Sequence, residues 1–120
     1  MPERDTTYDP ECLFCKIAAE EIPSERVYED DRVVVFRDIS PKAPTHVLAI
    51  PRRHIPSADD LTDGDGDLLA ALFSALRKVA ADASLRGYRI VSNVGPESGQ
   101  SVFHLHVHLL GGRRMSWPPG

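Results

Sequence analysis

The chain has 120 residues, 42% of them hydrophobic, which is enough for one compact core and too few for two ordinary domains. Its 14 basic and 18 acidic residues leave a net charge of −4, which argues against nonspecific binding to a nucleic-acid backbone. A mononucleotide stays open, because backbone N–H groups and imidazoles can hold its phosphate. No segment approaches the roughly 20 apolar residues of a membrane span, and the polar start Met1 to Pro10 has no apolar signal core. A cytoplasmic protein with a flexible segment 1–10 is expected.

Cys12-Leu13-Phe14-Cys15 holds both cysteines of the chain. Two cysteines do not make a disulfide scaffold, and CxxC reads as half a zinc site or a redox motif. A thioredoxin-like motif follows a strand, and this one does not, so zinc is favoured. Leu13, Phe14, Ile17 and Ala18 fall at helical spacing, predicting a short helix over 12–20 that Pro23 stops. Two strands, 27–29 and 32–37, flank Asp30-Asp31 as a hairpin, and a proline-containing loop 38–44 leads to a third strand, 46–50, closed by Pro51. His54, in the basic stretch after it, is read as structural.

Leu68, Leu69, Leu72, Phe73, Leu76, Val79, Ala80 and Ala83 recur every three to four residues, predicting one long amphipathic helix. Asp63, Asp65 and Asp67 before it fit no calcium-loop register and read as a helix start in solvent. Gly87 ends the helix, Tyr88 to Ser92 forms a fourth strand, and a small-residue loop from Asn93 to Ser101 leads into a fifth, Phe103 to Leu110. The expected architecture is α+β: a five-stranded antiparallel sheet with one short N-terminal helix and one long helix.

Three of the five histidines lie in that last strand. In an extended chain His104, His106 and His108 line one face, and Leu105, Val107 and Leu109 the other. Packing does not explain such a stripe, since each imidazole brings two nitrogens that need partners. Four residues of strand span about 13 Å, so His104 and His108 cannot share a metal. A zinc chelated by His104 and His106 stays open. The other use of a neutral imidazole is as a nucleophile toward phosphorus.

The run from His104 to Leu110 resembles the histidine triad signature, in which histidines alternate with apolar residues. Asp38 to His46, Asn93 to Ser101 and the tail Met115-Ser116-Trp117-Pro118-Pro119-Gly120 resemble the Hint branch of that superfamily, the histidine triad nucleotide-binding proteins. The resemblance implies a homodimer with a single domain over 11–120, whose tail, 111–120, contributes to the dimer. It implies binding of purine nucleoside monophosphates and hydrolysis of the P–N bond of nucleoside phosphoramidates. Carried over by position, His106 is the nucleophile, His108 binds the phosphate oxygens and Ser101 contacts the phosphate or leaving group. Gly99 N–H and Asn93 form a phosphate cradle, Asp38 takes the ribose hydroxyls, and Phe36, Ile39 and Phe14 make the base slot.

The same resemblance implies a structural zinc on Cys12, Cys15, His46 and His104, and a Trp117 that shapes the partner subunit's pocket. Asp38 could equally cap the turn before Ser40-Pro41, and Asn93 could simply end its strand. Two other functions stay open: a dinucleoside polyphosphate hydrolase or phosphorylase, and a non-catalytic nucleotide-binding adaptor. Neither a nucleic-acid polymer nor a membrane is an expected partner.

Overall fold

A computed structural model describes residues 7–120. Helix α1 spans Leu13–Ala18, strands β1 to β3 span Arg26–Glu29, Val33–Arg37 and Thr45–Pro51, and helix α2 spans Gly66–Asp82. Strands β4, Tyr88–Val91, and β5, Val107–Gly111, complete a five-stranded sheet of order β1-β2-β3-β5-β4 in which every pair is antiparallel. Among the described residues no helix is long and apolar enough to cross a membrane. The expected flexible segment 1–10 falls for its larger part outside the described residues. Within it, Thr7 O accepts from His54 N–H at 3.2 Å and Tyr8 Oη donates to Glu21 at 2.5 Å.

The two-residue period of the strands divides the molecule into two layers of core. Val33, Val35, Val47, Ala49, Val107 and Leu109 face α2, where Leu72, Ala75, Leu76 and Val79 meet them. Val34, Phe36, Leu48 and Ile50 point the other way, onto Phe14, Ile17 and Ala18 of α1. Registry sets Phe36 beside Leu48 and Leu48 beside His108, so the triad side chains share the α1 face.

Three expectations need correction. Helix α1 ends at Ala18, before Pro23 is reached, because Glu20 takes a left-handed φ of 64° and Glu21 N–H returns to Lys16 O at 2.8 Å. Strand β5 begins at Val107 rather than Phe103 because the preceding backbone is held elsewhere: Leu105 N–H donates to Ile55 O at 2.6 Å, beyond the end of β3. Asp65 is buried, not in solvent. It pairs with Arg53 at 2.5 Å and closes a capping box with Thr62 that starts the turn into α2.

Candidate functional site

The triad histidines alternate toward one face as expected, yet each is bound differently. His104 is fully buried, and its Nε2 donates to Pro51 O at 2.8 Å. Its Nδ1 therefore carries a lone pair, which lies 3.4 Å from Cys12 Sγ, 3.5 Å from Cys15 Sγ and 3.3 Å from His54 Nδ1. Cys15 Sγ is also 3.3 Å from His54 Nδ1. One donor atom from each of Cys12, Cys15, His54 and His104 lies within 4.8 Å of all the others.

This is a closed set of two sulfurs and two nitrogens that can hold a metal ion, with the composition of a structural zinc site. Burial pushes the Cys15 thiol up to about 11 and His104 down to about 4. Burial thus disfavours charge on the Cys15 sulfur, which needs a cation beside it to ligate as thiolate, while the His104 imidazole already offers its neutral, ligating form.

His106 Nδ1 donates to His104 O at 2.8 Å, which leaves the lone pair on Nε2. Its ring stands edge-on to Phe14, with centroids 5.1 Å apart, and Ser92 Oγ donates to its carbonyl at 2.8 Å. His108 belongs to a separate chain of hydrogen bonds. Lys42 N–H donates to His46 Nδ1 at 3.0 Å, so the His46 proton sits on Nε2, which donates to His108 Nδ1 at 2.9 Å. The proton of His108 is thereby placed on Nε2. Burial, with His106 and His46 close by, holds His108 down to about 4, and burial lowers His46 as well. Side by side, with rings 5.1 Å apart, stand a nucleophilic lone pair on His106 and an N–H donor on His108.

A family profile described as Scavenger mRNA decapping enzyme C-term binding matches residues 11–117. An uncharacterised HIT-like protein of Synechococcus elongatus is 48% identical over 109 residues, 90% of this chain and 96% of that protein. The chain belongs to the histidine triad (HIT) family. A second relative, a 14 kDa zinc-binding protein of Zea mays, is 48% identical over 119 residues, covering 93% of this chain and 90% of that one. The crystal structure of a HIT family hydrolase from Legionella pneumophila superposes with a TM-score of 0.88 at 52% identity, covering 91% of this chain and 99% of the other.

Within this HIT domain the fourth metal-cluster position is corrected from His46 to His54. The β3–β5 register pairs His46 with Leu110, six residues beyond His104, whereas Leu105, next to His104, bonds to Ile55, next to His54. His46 lies about 20 Å away along such a strand. It joins Asp38 and His108 instead, with Nε2 3.5 Å from Asp38 Oδ2. His54 was missed because what brings it to His104 lies outside the ladder: the bond from Leu105 N–H to Ile55 O and the Pro51 carbonyl that holds His104.

Asp38 fills the turn-cap role, Oδ1 accepting from Ser40 N–H at 2.7 Å, while Oδ2 lies 3.5 Å from His46 Nε2. Phe14 and Phe36 are buried edge to face, with centroids 5.5 Å apart. Ile39 is fully exposed and stands apart from their cluster. The Gly99 N–H expected to cradle phosphate is already used, donating to Pro96 O at 3.0 Å in a short 3-10 turn. Gly99 keeps a different fitness for the loop. At φ +101° it holds a conformation that side chains resist, and an added Cβ would meet nothing within 4 Å. Asn93 is half-buried past the end of β4, and Ser101 is exposed. Trp117 is 81% exposed, with the Arg89 guanidinium 6.0 Å from its ring centroid and bonded to Ser116 O.

Proposed function

We propose that this HIT protein, a single domain over 11–120, is a Hint-type purine nucleoside phosphoramidase. It hydrolyses the P–N bond of a nucleoside 5′-phosphoramidate through a nucleotidyl group on His106. The observation that carries the reading is the pair of opposed tautomers: a lone pair on His106 Nε2 beside a proton on His108 Nε2. A site needing only to grip an anion has no use for the bare nitrogen.

In the first half-reaction His106 Nε2 attacks phosphorus, the N–P bond forms, and the P–N bond to the amine breaks with its electron pair and a proton going to the amine. Water then attacks the same phosphorus, a P–O bond forms, and the imidazole takes back its lone pair while the water proton departs. Net, one phosphoramidate and one water give a nucleoside monophosphate and a free amine. His108 donates to a phosphoryl oxygen whose charge grows in the transition state. Ser101, exposed at the end of its loop, contacts the phosphate or the leaving group, and Asn93 completes the cradle. Asp38 accepts from the ribose hydroxyls, and Phe14 and Phe36 floor the base slot with Ile39 at its rim.

Cys12, Cys15, His54 and His104 would hold zinc, which supplies a rigid four-point crosslink; the fit of the donor set and the name of the maize relative support this. The exposed Trp117 tail belongs, in this reading, to a homodimer in which residues 111–120 reach the partner's site.

The test is turnover of a fluorogenic adenosine tryptamine phosphoramidate by the protein and by His106→Ala. Turnover in the parent and a loss of several orders of magnitude in the variant, with AMP still bound, is the expected result. Equal turnover in both sinks the nucleophile, and AMP binding without turnover in the parent favours the adaptor. Diadenosine polyphosphates cleaved faster than the phosphoramidate would reassign the substrate.

A further inference from the structure

The buried side chain of Gln100 plays no part in the chemistry above, yet it joins its two halves. Only 5% exposed, it uses every polar group it has. Oε1 accepts from Gly95 N–H at 2.8 Å, and Nε2 donates to Pro56 O at 2.8 Å and Val102 O at 3.1 Å. Its backbone N–H returns to Gly95 O at 3.1 Å. Gly95 opens the turn that carries Gly99 and leads to Ser101. Pro56 stands two residues from His54 of the metal cluster, and Ile55 between them accepts from Leu105 N–H at 2.6 Å. The amide thus spans from the metal arm 54–56 to the loop 93–101.

We propose that Gln100 is a positioning residue through which occupancy of the Cys12–Cys15–His54–His104 cluster and binding of an anion at loop 93–101 strengthen one another. A metal that fixes His54 also fixes the Pro56 carbonyl, and Gln100 passes that restraint to Gly95. By reciprocity, an anion that orders the loop raises the affinity of the cluster for its metal. That an anion sits at this loop rests on the function proposed above; the mechanical link itself does not.

The experiment measures amide hydrogen exchange across 95–101 in zinc-loaded and chelator-stripped protein, for the parent chain and for Gln100→Met, which keeps the length and removes the polar groups. AMP affinity is then measured in the same four states. Zinc should slow loop exchange in the parent by about fivefold or more, the low end of ordinary coupling, and by under about twofold in the variant. AMP affinity should follow the same pattern. Equal slowing in both chains overturns the role of Gln100. If the variant does not fold, the parent alone decides: stripping zinc must speed exchange in 95–101 more than in the amides of β2, and uniform acceleration overturns the coupling. A loop that responds to zinc in a chain that binds no AMP leaves the link standing and removes the nucleotide reading.

Discussion

His46 and His108 show how a histidine can be kept neutral by its neighbours. The Lys42 amide occupies one nitrogen of His46, and burial disfavours a second proton on either ring. His108 ordinarily titrates near 6.5 and is held down to about 4. Between those values the unfolded chain binds a proton that the folded chain refuses, so stability falls as pH drops through this window and is flat above it. Each such histidine contributes a slope of at most about 1.4 kcal/mol per pH unit. Thermal unfolding scanned from pH 8 to pH 4 should show a plateau down to about pH 6.5 and then a decline. His108→Gln should make that decline shallower while the plateau persists. A variant that declines as steeply as the parent would remove His108 as a source of the slope.

At the scale of elements, the loop 93–101 concentrates what the strands cannot supply. Gly99 at φ +101° is required by conformation alone, since its Cβ direction is open. Gly99→Ala should therefore cost roughly 1–3 kcal/mol of local strain, released by shifting the turn rather than by unfolding the sheet. AMP affinity measured by calorimetry should fall about tenfold with a small change in Tm; unchanged affinity would separate the turn from the ligand.

The elements themselves were legible wherever local pattern decides them. Apolar runs bounded by turn residues marked β2 and β3, which are buried on both faces, alternation marked the Val107–Leu109 stretch, and the three-to-four spacing marked α2, which buries one face. The start of β5 was not legible, since it depends on a bond from Leu105 to Ile55, fifty positions back in the chain. His54 escaped for the same reason. It lies beyond the end of β3 and reaches His104 through the bond of Leu105 to Ile55, so it read as structural, and the zinc set implied by the family resemblance named His46 in its place. Asp65 could be read as a helix start but not as buried, because nothing local reveals Arg53 above it.

For the whole molecule the decisive junction is where α1 meets the sheet. Helix α1 has six residues, too few to be stable alone, and it docks through Phe14, Ile17 and Ala18. Both cysteines are free thiols, so no disulfide reinforces that contact. The cluster gathers Cys12 and Cys15 at the start of α1, His54 after β3 and His104 before β5, three segments remote in sequence. A metal there closes long loops in one step, and its binding free energy is folding free energy. With free zinc at about 100 times Kd the gain is about 2.7 kcal/mol, which corresponds to a Tm shift on the order of 10 °C. Chelation should lower Tm by that amount in the parent chain and in His46→Ala, and should change little in His54→Ala, whose zinc content after dialysis should fall well below one per chain. The contrast between the two histidines is the sharp part. If His46→Ala loses zinc and His54→Ala keeps it, the cluster is not the one this fold assembles, and the link from metal to α1 goes with it.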